Sequence, residues 1–321
     1  MSVISRFALA ALYISTFAGT LPSQVSPSSA SQIRVTLLGT AAGPPVRVGA
    51  AGISTLVEVG QDRFLFDAGR GLMQRLVQAG VRVNAVNKLF LTHLHSDHVI
   101  DVPDLLLMGW SATPARSVPL EVWGPEGTRD MMTHLEQAFA FDIHMRRDVD
   151  EHHPPAGIQV VAHDVREGAV YATNAVRITA FLVDHGPVQP AYGYRLDFGG
   201  HSVCLSGDTR PSQNLVDKCH DVDVLIHEVI DAELVRRSVP NARVAESIIA
   251  HHTTADQAAD VFQRAHPRLA VFSHLQPASA VLERARRLYR GRLEEGDDLM
   301  TIDVGSEIVV KRPPPGSAGR S

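Results

Sequence analysis

Within six residues the chain places three imidazoles and a carboxylate, His93, His95, Asp97 and His98, in the run Thr92-His93-Leu94-His95-Ser96-Asp97-His98. Zinc takes both ligand types readily, whereas without a ligand such a cluster has few partners to offset its assembly. A polar loop of solvated histidines fits the spacing poorly. His93 and His95 lie two apart at the end of a short apolar strand and so project to one face. Asp97 and His98 then fall in the turn before the next helix. The chain holds 16 histidines in 321 residues, and their placement, more than their number, points to metal chemistry.

The elements that must carry this run follow from periodicity. Strands are expected at 33–38, 54–59, 63–66, 88–91, 120–123, 175–183, 192–196, 202–206, 222–226 and 269–272. Helices are expected at 71–79, with Gly80 as C-cap, then from Asp101 as N-cap with Pro103 in the first turn, and at 128–139, 254–264 and 280–289. Strands and helices alternate in two successive stretches with no linker between them, which predicts a single layered α/β domain over residues 31–310. The ends read differently. Residues 1–30 carry one charge at Arg6, an apolar run at 8–16 too short to span a bilayer, and small residues at Ser28 and Ala30. They read as a secretory signal, for a secreted or periplasmic protein with no stable membrane anchor. Residues 311–321, with three consecutive prolines, read as a flexible tail.

Composition narrows the function classes. Apolar residues make up 45% and charged residues 20%, the balance of a soluble globular protein without coiled-coil or collagen-like repeats. A formal net charge of −5 argues against a general nucleic-acid binder, which usually shows a basic excess. Cys204 and Cys219 are too few for a disulfide scaffold. Two buried free thiols are expected, with a single bridge as the alternative.

The pattern His93-x-His95-x-Asp97-His98 resembles the signature of the metallo-β-lactamase superfamily, and the remaining parts occur in that family's order. His185 stands in Val183-Asp184-His185-Gly186, Asp208 in Ser206-Gly207-Asp208-Thr209, and His274 in Phe272-Ser273-His274-Leu275. The resemblance implies a four-layer αββα sandwich holding two zinc ions, with manganese or iron as alternatives. By the same resemblance, His93, His95 and His185 hold one ion and Asp97, His98 and His274 the other, with Asp208 between them. Open positions on each ion mark a catalytic site. The implied nucleophile is a metal-bridging hydroxide, and the implied substrate an anionic ester.

Further segments are similar to the ribonuclease Z group and its relatives, the metallo-lactamase-type arylsulfatases and class II cyclic-nucleotide phosphodiesterases. They are 37–41, 66–71, 193–195, 207–211, His227-Glu228 and 252–258. This resemblance implies that His252 faces the scissile ester as proton donor or anion clamp and that Glu228 orients it. Helix capping by Thr253 or Thr254 with an incidental histidine is the structural alternative. His251 reads as solvated, and Asp67 as a brace for the site loop. A His-Glu-x-x-His zinc helix is excluded at His227, because position 231 is Asp231. Arg195 and Arg210 are candidates for holding an anionic group, each equally suited to a structural ion pair. Trp110 and the segment 124–141 are candidates for a pocket wall, and Trp123 for core.

Two departures bear on the branch. Only 23 positions separate His185 from Asp208, leaving no room for the tRNA-gripping arm of ribonuclease Z, and Leu275-Gln276-Pro277 replaces that enzyme's Ser-Ser-Arg-like run. With the signal segment, the acidic charge and the run from Pro103-Asp104-Leu105 to Gly109-Trp110, these features lead to a definite expectation. It is an exported dinuclear-zinc hydrolase of a small anionic ester, an aryl sulfate or a phosphodiester, with nucleic acid disfavoured as partner and a homodimer left open. Ribonuclease Z-type cleavage at tRNA 3' ends is the alternative, and a non-enzymatic metal-binding module the weakest reading.

Overall fold

The computed structural model describes residues 33–276 and 280–313. Runs of β-branched and apolar residues form six strands first: β1 (Ile33–Gly39), β2 (Ser54–Val59), β3 (Asp62–Phe66), β4 (Lys88–Phe90), β5 (Leu120–Gly124) and β6 (Val160–Asp164). Then come β7 (Gly168–Thr173), β8 (Val176–Leu182), β9 (Tyr192–Phe198), β10 (His201–Leu205), β11 (Val224–Glu228), β12 (Leu269–Ser273), β13 (Leu293–Glu295), β14 (Met300–Val304) and β15 (Ile308–Lys311). They assemble into two sheets, in the orders β15-β14-β1-β2-β3-β4-β5-β6 and β13-β12-β11-β10-β9-β8-β7.

The two sheets pack face to face. Val35, Leu37, Phe64, Phe66 and Phe90 from the first meet Ile178, Tyr194, Leu196, Val203 and Val271 from the second in one apolar core. Phe90 lies flat on Trp123, ring centroids 4.6 Å apart. Trp123 is therefore core, as expected. Each such side chain removed from water contributes roughly 1.5–3 kcal/mol. Helices Leu72–Gln78 and Val102–Ser111 cover the outer face of the first sheet, and helices Ala255–Ala265 and Val281–Leu288 cover the second. The result is the four-layer αββα sandwich that the resemblance implied.

Topology gathers the site. β10, β11 and β12 are mutually parallel, and β8 and β10 both run antiparallel to β9, so all four finish at one edge of their sheet. β3 and β4 are likewise parallel in the other sheet.

Several expectations need correction. β6, β7, β13, β14 and β15 were not expected; β6 and β7 are half-exposed edge strands that lack a clean alternation of apolar and polar residues. Asp101 does not cap its own helix. Its carboxylate accepts from the amides of Gly71 (2.7 Å) and Leu72 (2.9 Å), and so closes the start of helix Leu72–Gln78. Residues 311–313 do not belong to a loose tail: Lys311 ends β15, and Arg312 pairs with Glu294 and Asp297. The proposed signal, residues 1–30, and the rest of the proposed tail, 314–321, lie outside the described residues. Among the described residues no helix is long and apolar enough to cross a membrane.

The two cysteines are paired, contrary to the expectation of free thiols. Cys204 on β10 and Cys219 after helix Gln213–Lys218 enter the same buried cluster with their Cα atoms 5.8 Å apart, within disulfide reach. The bridge closes a loop of 15 positions that carries Asp208. Reduction is expected to lower unfolding stability by about 3 kcal/mol, the chain-entropy value for such a loop. Urea midpoints measured with and without reductant check this, and coincident midpoints would refute it.

Candidate metal and catalytic site

Five strand ends deliver the site. The exit of β4 carries Thr92 to His98, β8 leads to His185, β10 to Asp208, β11 ends on Glu228, and β12 is followed by His274. Gly207 makes the Asp208 turn feasible. Its φ is +60°, and a Cβ there would stand 2.7 Å from the Tyr192 carbonyl oxygen, so a larger residue would push this turn away from the start of β9.

All seven residues expected as ligands converge. His93 Nε2 is 3.0 Å from His95 Nδ1, and His185 Nε2 is 3.4 Å from the same atom. On the other side, Asp97 Oδ2 lies 3.4 Å from His274 Nε2 and 3.8 Å from His98 Nε2. Asp208 Oδ2 sits between the groups, 3.4 Å from His98 Nε2, 3.5 Å from His274 Nε2, 3.9 Å from His93 Nε2 and 4.0 Å from His185 Nε2. A single carboxylate oxygen thus faces both triads.

The far sides of the rings are held by the protein. His98 Nδ1 donates to Asp67 Oδ2 at 2.8 Å, and His185 Nδ1 donates to the His251 carbonyl at 3.0 Å. The Thr92 hydroxyl donates to Asp67 at 2.9 Å and stands 3.1 Å from His93 Nδ1. Such bonds fix ring orientation and raise ligand basicity. Asp67 is therefore the brace expected of it. Asp67→Ala is expected to weaken metal binding about 10–100-fold, as measured by competition with a chelating dye; unchanged affinity would remove it from that role.

Electrostatics match a site built for cations. Burial, helped by neighbouring His98, pushes His93 well below its ordinary value, and burial also lowers His95 and His185. Neutral imidazole is the form that ligates metal. Burial alone would raise Asp97 and Asp208, yet the surrounding imidazoles hold both below the usual carboxylate range. His98 Nε2 is buried without a hydrogen-bond partner, although it points at the Asp208 carboxylate. An orphaned ring nitrogen facing two carboxylates and further imidazoles is a donor set that fits two divalent cations.

Glu228 and His252 meet beside this cluster. Glu228 Oε1 accepts from the amides of Thr209 (3.1 Å) and Thr253 (3.0 Å), and it lies 3.2 Å from His252 Nδ1. Burial would lower His252, but the Glu228 carboxylate outweighs it and raises the imidazole to about 9. Thr253 donates to the Thr209 carbonyl at 2.6 Å, and the amide of Thr254 donates to Gln257 at the start of helix Ala255–Ala265. Helix capping and site geometry thus coexist in adjacent residues.

Other candidates are placed elsewhere. Arg195 pairs with Asp197 at 2.9 Å and donates to the Lys218 carbonyl, outside the site cavity. Arg210 pairs with Asp184 at 2.8 Å, next to His185 but not in the cavity lining. Trp110 is fully buried under the first sheet, its indole donating to the Pro154 carbonyl, and no residue of 124–141 lines the cavity. The wall of this cavity of about 490 Å3 comes instead from loop residues 42–47, from the chain after β11, and from helices Ala232–Ser238 and Ala242–Ala250. Sequence reasoning missed those helices; the apolar periodicity of 242–250 could have signalled the second. His251, read as solvated, borders the cavity and orients His185 through its carbonyl.

Comparison with known proteins bears on this site. The family described as Beta-lactamase superfamily domain matches residues 62–275. A protein named Ribonuclease Z from Mycobacterium sp. (strain KMS) is 38% identical over 288 residues, covering 87% of this chain and 99% of that protein. A Ribonuclease Z from Mycolicibacterium gilvum is 36% identical with the same coverage. Among solved structures, the metallo-β-lactamase fold protein YhfI from Bacillus subtilis superposes with a TM-score of 0.65 at 17% identity, over 84% of this chain and 98% of its own. Human tRNase Z, short form, gives 0.64 at 21%, over 85% of this chain and 99% of its own. These two likenesses show the fold.

The relatives overturn the expectation of an arylsulfatase-like hydrolase of a small ester, and with it the expectation that nucleic acid is disfavoured as partner. The short spacing from His185 to Asp208 does not set this chain apart, because 288 aligned positions take in nearly the whole relative and 87% of this chain, which leaves no room in that relative for an extra insertion of several dozen residues. A net charge of −5 does not exclude an RNA substrate, because it sums over the whole surface and says little about one groove.

Proposed function

Because the chain belongs to the metallo-β-lactamase superfamily, with proteins named Ribonuclease Z at 36–38% identity over nearly their full length, we propose that it is a metal-dependent phosphodiesterase acting at RNA 3' ends, with precursor tRNA as substrate. The observation that carries the reading is the Asp208 carboxylate oxygen between two triads, with the His252 and Glu228 pair beside them. His93, His95 and His185 would hold one metal and Asp97, His98 and His274 the other, with Asp208 shared and zinc the proposed ion. Bound there, the pair supplies an activated water near neutral pH and positive charge for the scissile phosphate.

The chain's own groups supply the rest. His252, 3.2 Å from the Glu228 carboxylate, is placed to give a proton to the departing ribose oxygen, which is a poor leaving group without one. Glu228 is in turn held by the Thr209 and Thr253 amides, so the pair enters the reaction already oriented. The test is to incubate the zinc-loaded protein with a precursor tRNA bearing a 3' extension and, separately, with nitrophenyl sulfate. Endonucleolytic removal of the extension is expected. Sulfate turnover with intact RNA would sink the reading.

A further inference from the structure

Past the metal ligands the cavity continues along a wall that phosphodiester cleavage alone does not require. That wall is aliphatic, formed by Val229, Ile230, Leu234, Val235, Val239 and Ile248. It is also built into place. Ile230, Val235 and Ala245 form a small core of their own, with Val239, Ile248 and Ile249 packed on it. Asp231 caps helix Ala232–Ser238 through the amides of Glu233 (3.1 Å) and Leu234 (3.0 Å), Asn241 caps helix Ala242–Ala250 through Val244 (3.2 Å), and Arg236 clasps Glu246 across the two helices at 2.6 Å.

Two polar groups bordering this wall turn part of their hydrogen-bonding capacity to the protein. Gln276 Oε1 accepts from the Asp231 amide at 2.9 Å, and the Arg47 guanidinium donates to the carbonyls of Leu275 (2.8 Å) and Ala42 (3.1 Å). Against the aliphatic side chains themselves a phosphate would lose its water without replacement, and a ribose would leave hydroxyls unpaired. A flat heterocycle can lay its faces against aliphatic side chains, and single-stranded RNA ends can splay one base out of the stack. The whole cavity, candidate metal ligands included, holds about 490 Å3, within the range of ordinary ligand pockets.

We infer that this cavity is a subsite for one unstacked nucleobase adjacent to the scissile phosphodiester, an inference that rests on the ribonuclease reading above. Leu234 and Ile248, half-buried on the wall, are its contact residues.

The test uses the full chain loaded with zinc and a precursor RNA in which an abasic ribose is placed in turn on either side of the cleaved bond. At one of the two positions, loss of the base is expected to lower kcat/KM by about tenfold or more. Leu234→Trp, which fills the cavity, is expected to lower kcat/KM on intact RNA by a similar factor, mainly through KM, and to abolish the difference between intact and abasic RNA. Zinc content and thermal midpoint verify that the variant is folded, and Ile248→Trp supplies an independent replacement. The subsite is overturned if both abasic RNAs are cleaved as well as the intact one, or if the folded variants keep the preference. Failure of the unsubstituted protein to cleave any RNA would overturn the ribonuclease reading itself, which keeps the two failures apart.

Discussion

Asp208→Ala is expected to strip at least one metal from the protein and to lower RNA cleavage by about a thousandfold or more. The expectation follows from position. Asp208 Oδ2 is within 4.0 Å of His93, His98, His185 and His274, so one substitution removes the negative charge facing both triads. What remains is a buried group of imidazoles and one carboxylate, Asp97, on one side only. Drawing two cations together there without an intervening anion is unfavourable, since like charges repel strongly where water is excluded. Elemental analysis of the purified variant, paired with single-turnover cleavage of precursor tRNA, reads both effects. Two retained metals and near-normal cleavage would show that Asp208 does not bridge.

His252→Ala is expected to leave the metal content intact and to lower kcat on RNA by about 10²–10⁴-fold, the range for loss of a positioned general acid. The same variant acting on bis-nitrophenyl phosphate is expected to lose much less, because nitrophenolate departs without a proton. That split separates proton donation from mere folding or metal loss, which would depress both substrates together. Equal losses on the two substrates, with metal content and thermal midpoint unchanged, would make His252 a clamp on the phosphate. Glu228→Gln, which can still accept from the Thr209 and Thr253 amides but lacks the charge, is expected to fall between the wild type and His252→Ala on RNA.

The strands and helices nearest the chemistry were legible because their periodicity is strong. β2 was expected at its observed limits, and helix Ala255–Ala265 within one residue at either end. Edge strands β6 and β7 were not legible, since half-exposed strands show little contrast between their faces. Asp101 illustrates a different limit. Its sequence position suggested a local cap, but its carboxylate serves a helix about thirty residues earlier, which only the packing of the two helices allows.

The run from His93 to His98 was legible because metal chemistry demands particular side chains close together at a strand end, and His185, Asp208 and His274 joined it as candidate ligands through the family resemblance. From the sequence came the layered α/β class and, through the family resemblance, the seven candidate ligands and the expected pairing of His252 with Glu228. The tertiary structure decided which groups surround them. It joined Cys204 to Cys219, set Asp67 and the His251 carbonyl behind the rings, and turned Arg195 and Trp110 to structural tasks. It also brought helices Ala232–Ser238 and Ala242–Ala250 beside the candidate ligands as an aliphatic wall. The physical reason is that ligands are specified by chemistry, which is local. Cavity walls and outer hydrogen bonds arise from contacts between residues far apart in the chain, and these exist only once two sheets and their covering helices have packed.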